Sequence, residues 1–145
     1  MGRRPVVISP IAPLLRREGG EVALVSVELW PQQTIVRLAA LVDEPVAEEE
    51  AFGAALDAWA KGGRREPLPS EPGDSIYRQV SITVTDDLGT AYFPKSSAVG
   101  GTGRLFRGDW YFSVGVPQTA ARLTIEALDA GGQLGRMDLE LEVDP

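Results

Sequence analysis

The end of the sequence alternates strictly between apolar and acidic residues. Over residues 137–144 the apolar members are Met137, Leu139, Leu141 and Val143, and the acidic members are Asp138, Glu140, Glu142 and Asp144. A period of two places the members of each class on opposite faces of a β-strand. The sequence therefore predicts a strand with one buried face and one charged face. Edge strands commonly carry such charges, because charge discourages pairing with other chains.

The same alternation recurs earlier in the chain and predicts further strands. It is clear in residues 79–85, 110–116 and 121–128. Residues 21–30 and 34–42 are rich in Val and Leu on both faces, as expected of central strands that are covered on both sides. The short segment around Val7, with a proline on either side, suits an edge strand.

Turn residues separate these segments. Residues 86–89 and 129–132 combine Asp with Gly, which predicts tight hairpins, with Gly89 at positive φ. Residues 94–103 are rich in Ser and Gly and are predicted to form a loop. Short alternating strands between regular turns are typical of sandwiches. We expect a mainly β fold: a single domain over residues 1–145, forming an antiparallel immunoglobulin-like β-sandwich of about seven to eight strands.

One segment has the period of a helix instead. Residues 45–61 follow Asp43, a good N-cap, and place Phe52, Leu56 and Trp59 on one apolar face. We expect this inserted helix to pack that face on the core and to cover an open edge or end of the sandwich. The alternative is an exposed stripe that binds a partner. Residues 62–75, rich in Pro, Gly and charge, are predicted to be a flexible loop.

Composition excludes several classes of function. The chain has no Cys and no His, so thiolate chemistry, Ser–His–Asp catalysis and histidine metal sites are impossible. Its net charge is −7, which disfavours nucleic acid and anionic membranes as partners. No apolar stretch approaches the roughly 20 residues needed to span a bilayer. We therefore expect a cytoplasmic protein with no nucleic-acid or membrane partner.

Three motifs suggest chemistry but lack the context for it. Residues 100–103 read Gly-Gly-Thr-Gly, yet no Lys follows as a phosphate-binding loop requires. Asp86 and Asp87 supply too few carboxylates for a calcium loop. The acidic ladder of residues 138–144 has a spacing compatible with paired-carboxylate glycoside chemistry, although a solvent-facing strand has the same pattern. We predict no catalytic, cofactor-binding or metal-binding residues.

Three stretches in the C-terminal half carry a resemblance to a known group. They are TVTDDLGTAY at 83–92, RGDWYF at 107–112 and ARLTI at 121–125. Their order resembles that of uncharacterised immunoglobulin-like β-sandwich proteins of high-GC Gram-positive bacteria. The resemblance implies a fold. It implies no activity and no site residues for this chain.

These observations favour a non-catalytic binding or protein-interaction module whose partner is a protein. The predicted interaction surface is the helix face and the residues that follow it: Phe52, Leu56, Trp59, Arg64 and Arg65. The loops at residues 62–75 and 94–103 are further candidates, because mobile loops between strands often bind partners. One alternative is a structural subunit or homo-oligomer building block. Another is a carboxylate-based carbohydrate-active enzyme, which an acidic pair alone would have to support.

Overall fold

The computed structural model describes residues 5–70, 73–77, 79–102 and 105–142. In this part of the chain it has nine strands and two helices. In chain order they are β1 (Val6–Ile8), β2 (Ala12–Arg17), β3 (Gly20–Leu29), β4 (Thr34–Val42), α1 (Pro45–Lys61), α2 (Asp74–Tyr77), β5 (Val80–Asp86), β6 (Phe93–Thr102), β7 (Leu105–Ser113), β8 (Arg122–Asp129) and β9 (Leu134–Glu140).

The strands form two antiparallel sheets. The larger has the order β1-β3-β4-β7-β6, with β2 also paired to β3, and the smaller has the order β5-β8-β9. One apolar cluster joins them, with Leu24, Leu38 and Phe112 from the larger sheet and Leu123 and Ile125 from the smaller. The mainly β, antiparallel prediction is confirmed, and two sheets around one core are consistent with a β-sandwich.

A bulge in β3 decides which of its residues reach the core. Leu24 lies opposite Leu38, but the register shifts there, and Ser26 lies opposite Arg37. The extra residue reverses the alternation, so that Leu24 and Val27 are both fully buried. A strict alternation would place Val25 on the same face as Val27, whereas Val25 is only half-buried.

Two strands were not predicted, β2 and β6. The loop predicted at residues 94–103 is wrong for residues 94–102, because β6 pairs with β7 from Phe93 opposite Ser113 to Thr102 opposite Leu105. Residue 103 lies outside the described residues. The described side chains of β6 are exposed or half-buried, so its sequence carries no alternation between buried and exposed residues. The strand predicted at residues 110–116 is correspondingly shifted, since β7 ends at Ser113.

Helix α1 has the predicted bounds but not the predicted N-cap. Asp43 binds Arg16 with both carboxylate oxygens, and Glu44 occupies the N-cap without a side-chain hydrogen bond. At the other end Gly63, with φ +81°, allows the chain to turn back. The amides of Gly63 and Arg64 then bond to carbonyls of the last helical turn, as in a Schellman motif. Among the described residues, no helix is long and apolar enough to cross a membrane.

The predicted flexible loop at residues 62–75 ends in ordered structure. Asp74 begins α2, and Ile76 and Tyr77 of this short helix are 2% and 6% exposed. Gly73, with φ +92°, precedes it, and a Cβ there would lie 2.7 Å from the Cβ of Phe106. The prediction is therefore wrong for the end of this segment, which fills part of the core.

Candidate interaction surfaces

Helix α1 and residues 62–70 form an arm that contributes nothing to the core. None of the 17 residues of α1 is buried. Phe52, Leu56 and Trp59 are half-buried and lie on one face of the helix. The expectation that this face packs on the core is therefore wrong. The predicted interaction surface lies on the arm.

The chain that follows α1 folds back on the helix. The indole Nε1 of Trp59 donates a hydrogen bond to the main-chain oxygen of Glu66 at 2.7 Å. The guanidinium of Arg64 lies 5.3 Å from the centre of the Trp59 ring, within the range of a cation–π contact. The structure thus brings Trp59 and Arg64 together, whereas Arg65 is exposed. These contacts are internal to the arm and hold its tip.

The sandwich is closed on the side where β2 meets β9. Gly135 of β9 is buried, and a Cβ there would lie 1.9 Å from the main-chain oxygen of Leu14. Only glycine permits the two strands to approach so closely. The outer edge of β9 is charged, with Arg136, Asp138 and Glu140 all exposed.

The opposite side, between β5 and β6, is open; we call it the open side. A groove of about 290 Å³ lies there, lined by Asp74, Tyr77, Val80, Ser97, Val99 and Trp110. The rings of Tyr77 and Trp110 are 5.5 Å apart and tilted. A Cβ at Gly108 would lie 2.2 Å from the Trp110 indole, so this glycine makes room for the indole beside the groove.

Strand β6 forms one edge of the open side and is little protected against further pairing. It is ten residues long and pairs only with β7 among the described strands. Pro94, Lys95 and a register shift protect its first end. Residues 96–102 carry no charge, and Val99 is 46% exposed. By comparison, β1 has only three residues, and the β9 edge is charged.

The carboxylates singled out by the sequence serve local structure. Asp86 accepts hydrogen bonds from the amides of Leu88 and Thr90 and from the Tyr92 hydroxyl. Asp87 accepts from the amides of Ala121 and Arg122. The positive φ of Gly89 agrees with the prediction.

The hairpin predicted at residues 86–89 is wrong, because β5 pairs with β8 and the chain crosses to β6 in the other sheet.

Asp138 and Glu140 of the acidic ladder are exposed on β9, as expected for a charged edge. The strand predicted at residues 137–144 is shifted, since β9 runs from Leu134 to Glu140 and Glu142 follows its end. Asp138 accepts a hydrogen bond from the Thr124 hydroxyl at 2.6 Å, and this bond lowers the pKa of Asp138. Glu140 is 3.7 Å from Arg122. Asp144 lies outside the described residues. Within the described ranges, no three acidic side chains are grouped as a metal site would require.

A second set of charges crosses the outer face of the larger sheet. Arg37 of β4 binds Glu28 of β3 and lies 3.0 Å from Asp109 of β7. The bond from Arg37 lowers the pKa of Glu28, whose other oxygen accepts from the Trp30 indole at 3.0 Å. This network links the three adjacent strands, and both of its carboxylates interact with Arg37.

Part of the open side lies within a segment that the sequence had already suggested as a candidate surface, although as a loop and not as a strand edge. Residues 94–103 were a candidate surface as a mobile loop, and residues 94–102 lie in strand β6 instead. Tyr77, Val80 and Trp110 were not considered as lining residues. The available signal was the run of uncharged residues after Lys95, which is unusual for an edge strand.

Comparison with known proteins adds little. No family model matches the chain, and no curated protein matches it. A crystal structure of a conserved domain protein from Bacillus anthracis is similar, with a TM-score of 0.48 and 15% sequence identity. The match covers 96% of this chain and 50% of the other, so the chain spans about half the length of that protein.

Proposed function

We propose that the protein is a non-catalytic interaction module that binds an extended peptide by adding it as a strand to β6. The observation that carries the proposal is the ten-residue edge of β6, uncharged over residues 96–102 and open on one side. An extended edge presents unpaired amides and carbonyls, which an incoming strand satisfies. The adjacent groove offers apolar surface to the side chains of that strand.

The charge of the chain favours a neutral or basic peptide as the occupant. The net charge is −7, so two copies of the chain repel each other at long range, whereas a basic peptide is attracted. Asp74 in the groove lining adds a local carboxylate. We therefore favour a peptide of another protein over a second copy of this chain.

Selection from a random linear peptide library displayed on phage tests this proposal. Peptides recovered on the folded chain are titrated against wild type, Val99→Lys and Leu128→Lys. The two substitutions are matched, because Val99 is 46% and Leu128 45% exposed and both add one charge. We expect Val99→Lys to weaken binding at least about tenfold, since it places an inward-pointing charge on the edge, and Leu128→Lys to leave it within about twofold.

Hydrogen exchange of the complex supplies the second measurement. A peptide paired with β6 must protect amides of β6, while those of β1 keep their exchange rates. Equal binding by both lysine variants, without protection of β6, overturns the proposal. A concentration-dependent dimer that Val99→Lys dissolves would instead assign the edge to a second copy.

We also infer an immunoglobulin-like relation for the fold. In that fold, strands A-B-E-D form one sheet and C-F-G the other. In this comparison β1 and β2 together correspond to strand A, and β3 corresponds to strand B. Strands β5, β6, β7, β8 and β9 correspond to C, D, E, F and G in turn. The smaller sheet then has the order C-F-G, and the larger sheet has the order A-B-β4-E-D. The departure is β4, which lies between B and E and makes them parallel to each other. Superposing an experimental structure on immunoglobulin domains with β4 omitted tests this, and a different order of the seven strands would refute it.

A cytoplasmic site of action is part of the proposal, because a chain without cysteine gains nothing from an oxidising compartment. Fractionation of cells that produce the tagged protein tests the location.

A further inference from the structure

The groove of the open side constrains the peptide that would bind there. Resting on the proposed function, we infer that the bound peptide presents apolar side chains at every second position towards the groove, with a basic residue facing Asp74. The inference specifies the class of partner: an extended, alternating, basic segment.

The register of β6 determines which side chains of an added strand face the groove. Ser97 lies opposite Trp110 and Val99 opposite Gly108, and both Ser97 and Val99 line the groove. The intervening Ala98 lies opposite Asp109, whose neighbour across β4 is Arg37 on the outer face. A strand added to β6 continues the same pleat, so alternate side chains of the peptide face the groove.

The chemistry of the groove favours apolar side chains at those positions. Tyr77, Val80, Val99 and Trp110 supply its apolar surface. Val99 loses contact with water when a strand covers it, and the half-buried ring of Trp110 loses more of its exposure. Burying one aliphatic side chain of the peptide there corresponds to roughly a tenfold or greater gain in affinity.

Asp74 favours a positive charge on the bound peptide. It is the first residue of α2, it is half-buried and it lines the groove beside Tyr77. A basic side chain at the end of the apolar series can reach this carboxylate. A partly exposed pair of this kind corresponds to about a two- to fivefold effect on affinity. Lys95 lies near the start of β6, at the register shift between Pro94 and Ser96, and its charge disfavours a basic residue of the peptide at that end.

An alanine scan of a peptide selected on the folded chain tests the inference. We expect losses of about tenfold at positions i, i+2 and i+4, with changes below about twofold at the positions between them. Asp74→Asn should weaken the peptide by about two- to fivefold, and replacing the basic residue of the peptide by Gln should make wild type and Asp74→Asn equal. Helical spacing of the losses, or unequal binding after that replacement, overturns the inference.

A fluorescence measurement separates this result from the proposed function. In a chain carrying Trp30→Phe and Trp59→Phe, Trp110 is the remaining tryptophan of the sequence. Peptide binding should change its emission, because the peptide covers the groove. If the peptide protects the amides of β6 but the Trp110 emission does not change, or the alanine scan shows no alternation, the inference about side chains is refuted. Strand addition to β6 is still supported in that case. If no selected peptide protects the amides of β6, both the proposed function and this inference are refuted.

Discussion

The hydroxyl of Tyr77 donates a hydrogen bond to the main-chain oxygen of Phe106 at 2.9 Å. The two rings are also in contact, with centroids 5.7 Å apart. Burial raises the pKa of Tyr77, so its hydroxyl stays protonated and available as a donor. One side chain thus fastens α2 to β7 and forms part of the groove lining.

Tyr77→Phe should lower the free energy of unfolding by about 1–2 kcal/mol, because the carbonyl of Phe106 loses a buried donor. Urea unfolding followed by circular dichroism measures the change. Tyr111→Phe is the matched control, since it removes the same atom from a half-buried ring on the outer face and should change stability by less than about 0.5 kcal/mol. Equal losses in the two variants would contradict the role given to the Tyr77 hydroxyl.

Gly135→Ala should be far more damaging than another glycine substitution in an edge strand. A Cβ at Gly135 would lie 1.9 Å from the main-chain oxygen of Leu14, whereas a Cβ at Gly100 would have nothing within 4 Å. Since backbone must move to relieve the first contact, we expect a loss of about 3 kcal/mol, or a melting temperature lower by about 6–12 °C. Gly100→Ala should stay within about 2 °C. Similar melting temperatures would mean that β2 and β9 do not meet as described.

The alternation of residues predicted the strands that bury one face. β4 has the predicted bounds, and the buried apolar residues of β8, Leu123, Ile125 and Ala127, lie on the face that the pattern indicated. A strand on which the core imposes a period of two shows that period in its sequence. This accounts for the success with β5 and β8.

Edge strands and the candidate site were harder to predict. β6 has no buried side that its sequence must match, so its Ser and Gly residues read as a loop. The α1 stripe of Phe52, Leu56 and Trp59 has the spacing of a core face, but it is only half-buried, and the returning chain contacts Trp59 in place of the core. Periodicity indicates that a face is covered and does not indicate by what. The groove depends on which edges remain open, and pairing between distant strands decides that.

The arm should tolerate truncation of its apolar residues better than the core does. Leu56 of α1 is half-buried, whereas Leu38 of β4 is 1% exposed. We expect Leu56→Ala to cost below about 1 kcal/mol and Leu38→Ala about 2–5 kcal/mol, measured by urea unfolding. Comparable costs would show that α1 is packed on the core after all.

Hydrogen exchange examines the same feature without mutation. Because α1 has no buried residue, its amides should exchange through local opening. Exchange in α1 should be faster than in the central strands β3 and β4, whose amides require larger openings. Uniform protection across α1 and these strands would contradict the description of the arm as separate from the core.

Asp86 makes the stability of the protein depend on pH. Burial alone would raise its pKa, but hydrogen bonds from Thr90, Tyr92 and Leu88 lower it below the usual 3.8. A carboxyl whose folded pKa is depressed binds protons more readily in the unfolded chain. Its contribution to stability is therefore complete above the unfolded value and is lost as the pH falls through the folded value.

Asp86→Asn preserves the shape of the side chain and removes its charge, so it should lower the free energy of unfolding by about 1 kcal/mol at pH 7. The deficit should shrink as the pH falls below about 5, because Asp86 of the unfolded wild-type chain takes up a proton first, and should vanish once the pH has fallen through the lowered pKa of the folded chain. Urea unfolding at several pH values measures the difference, with Asp57→Asn on the exposed side of α1 as the control that should track wild type throughout. A deficit that is constant over this range would mean that the loop depends on the shape of the Asp86 side chain and not on its charge.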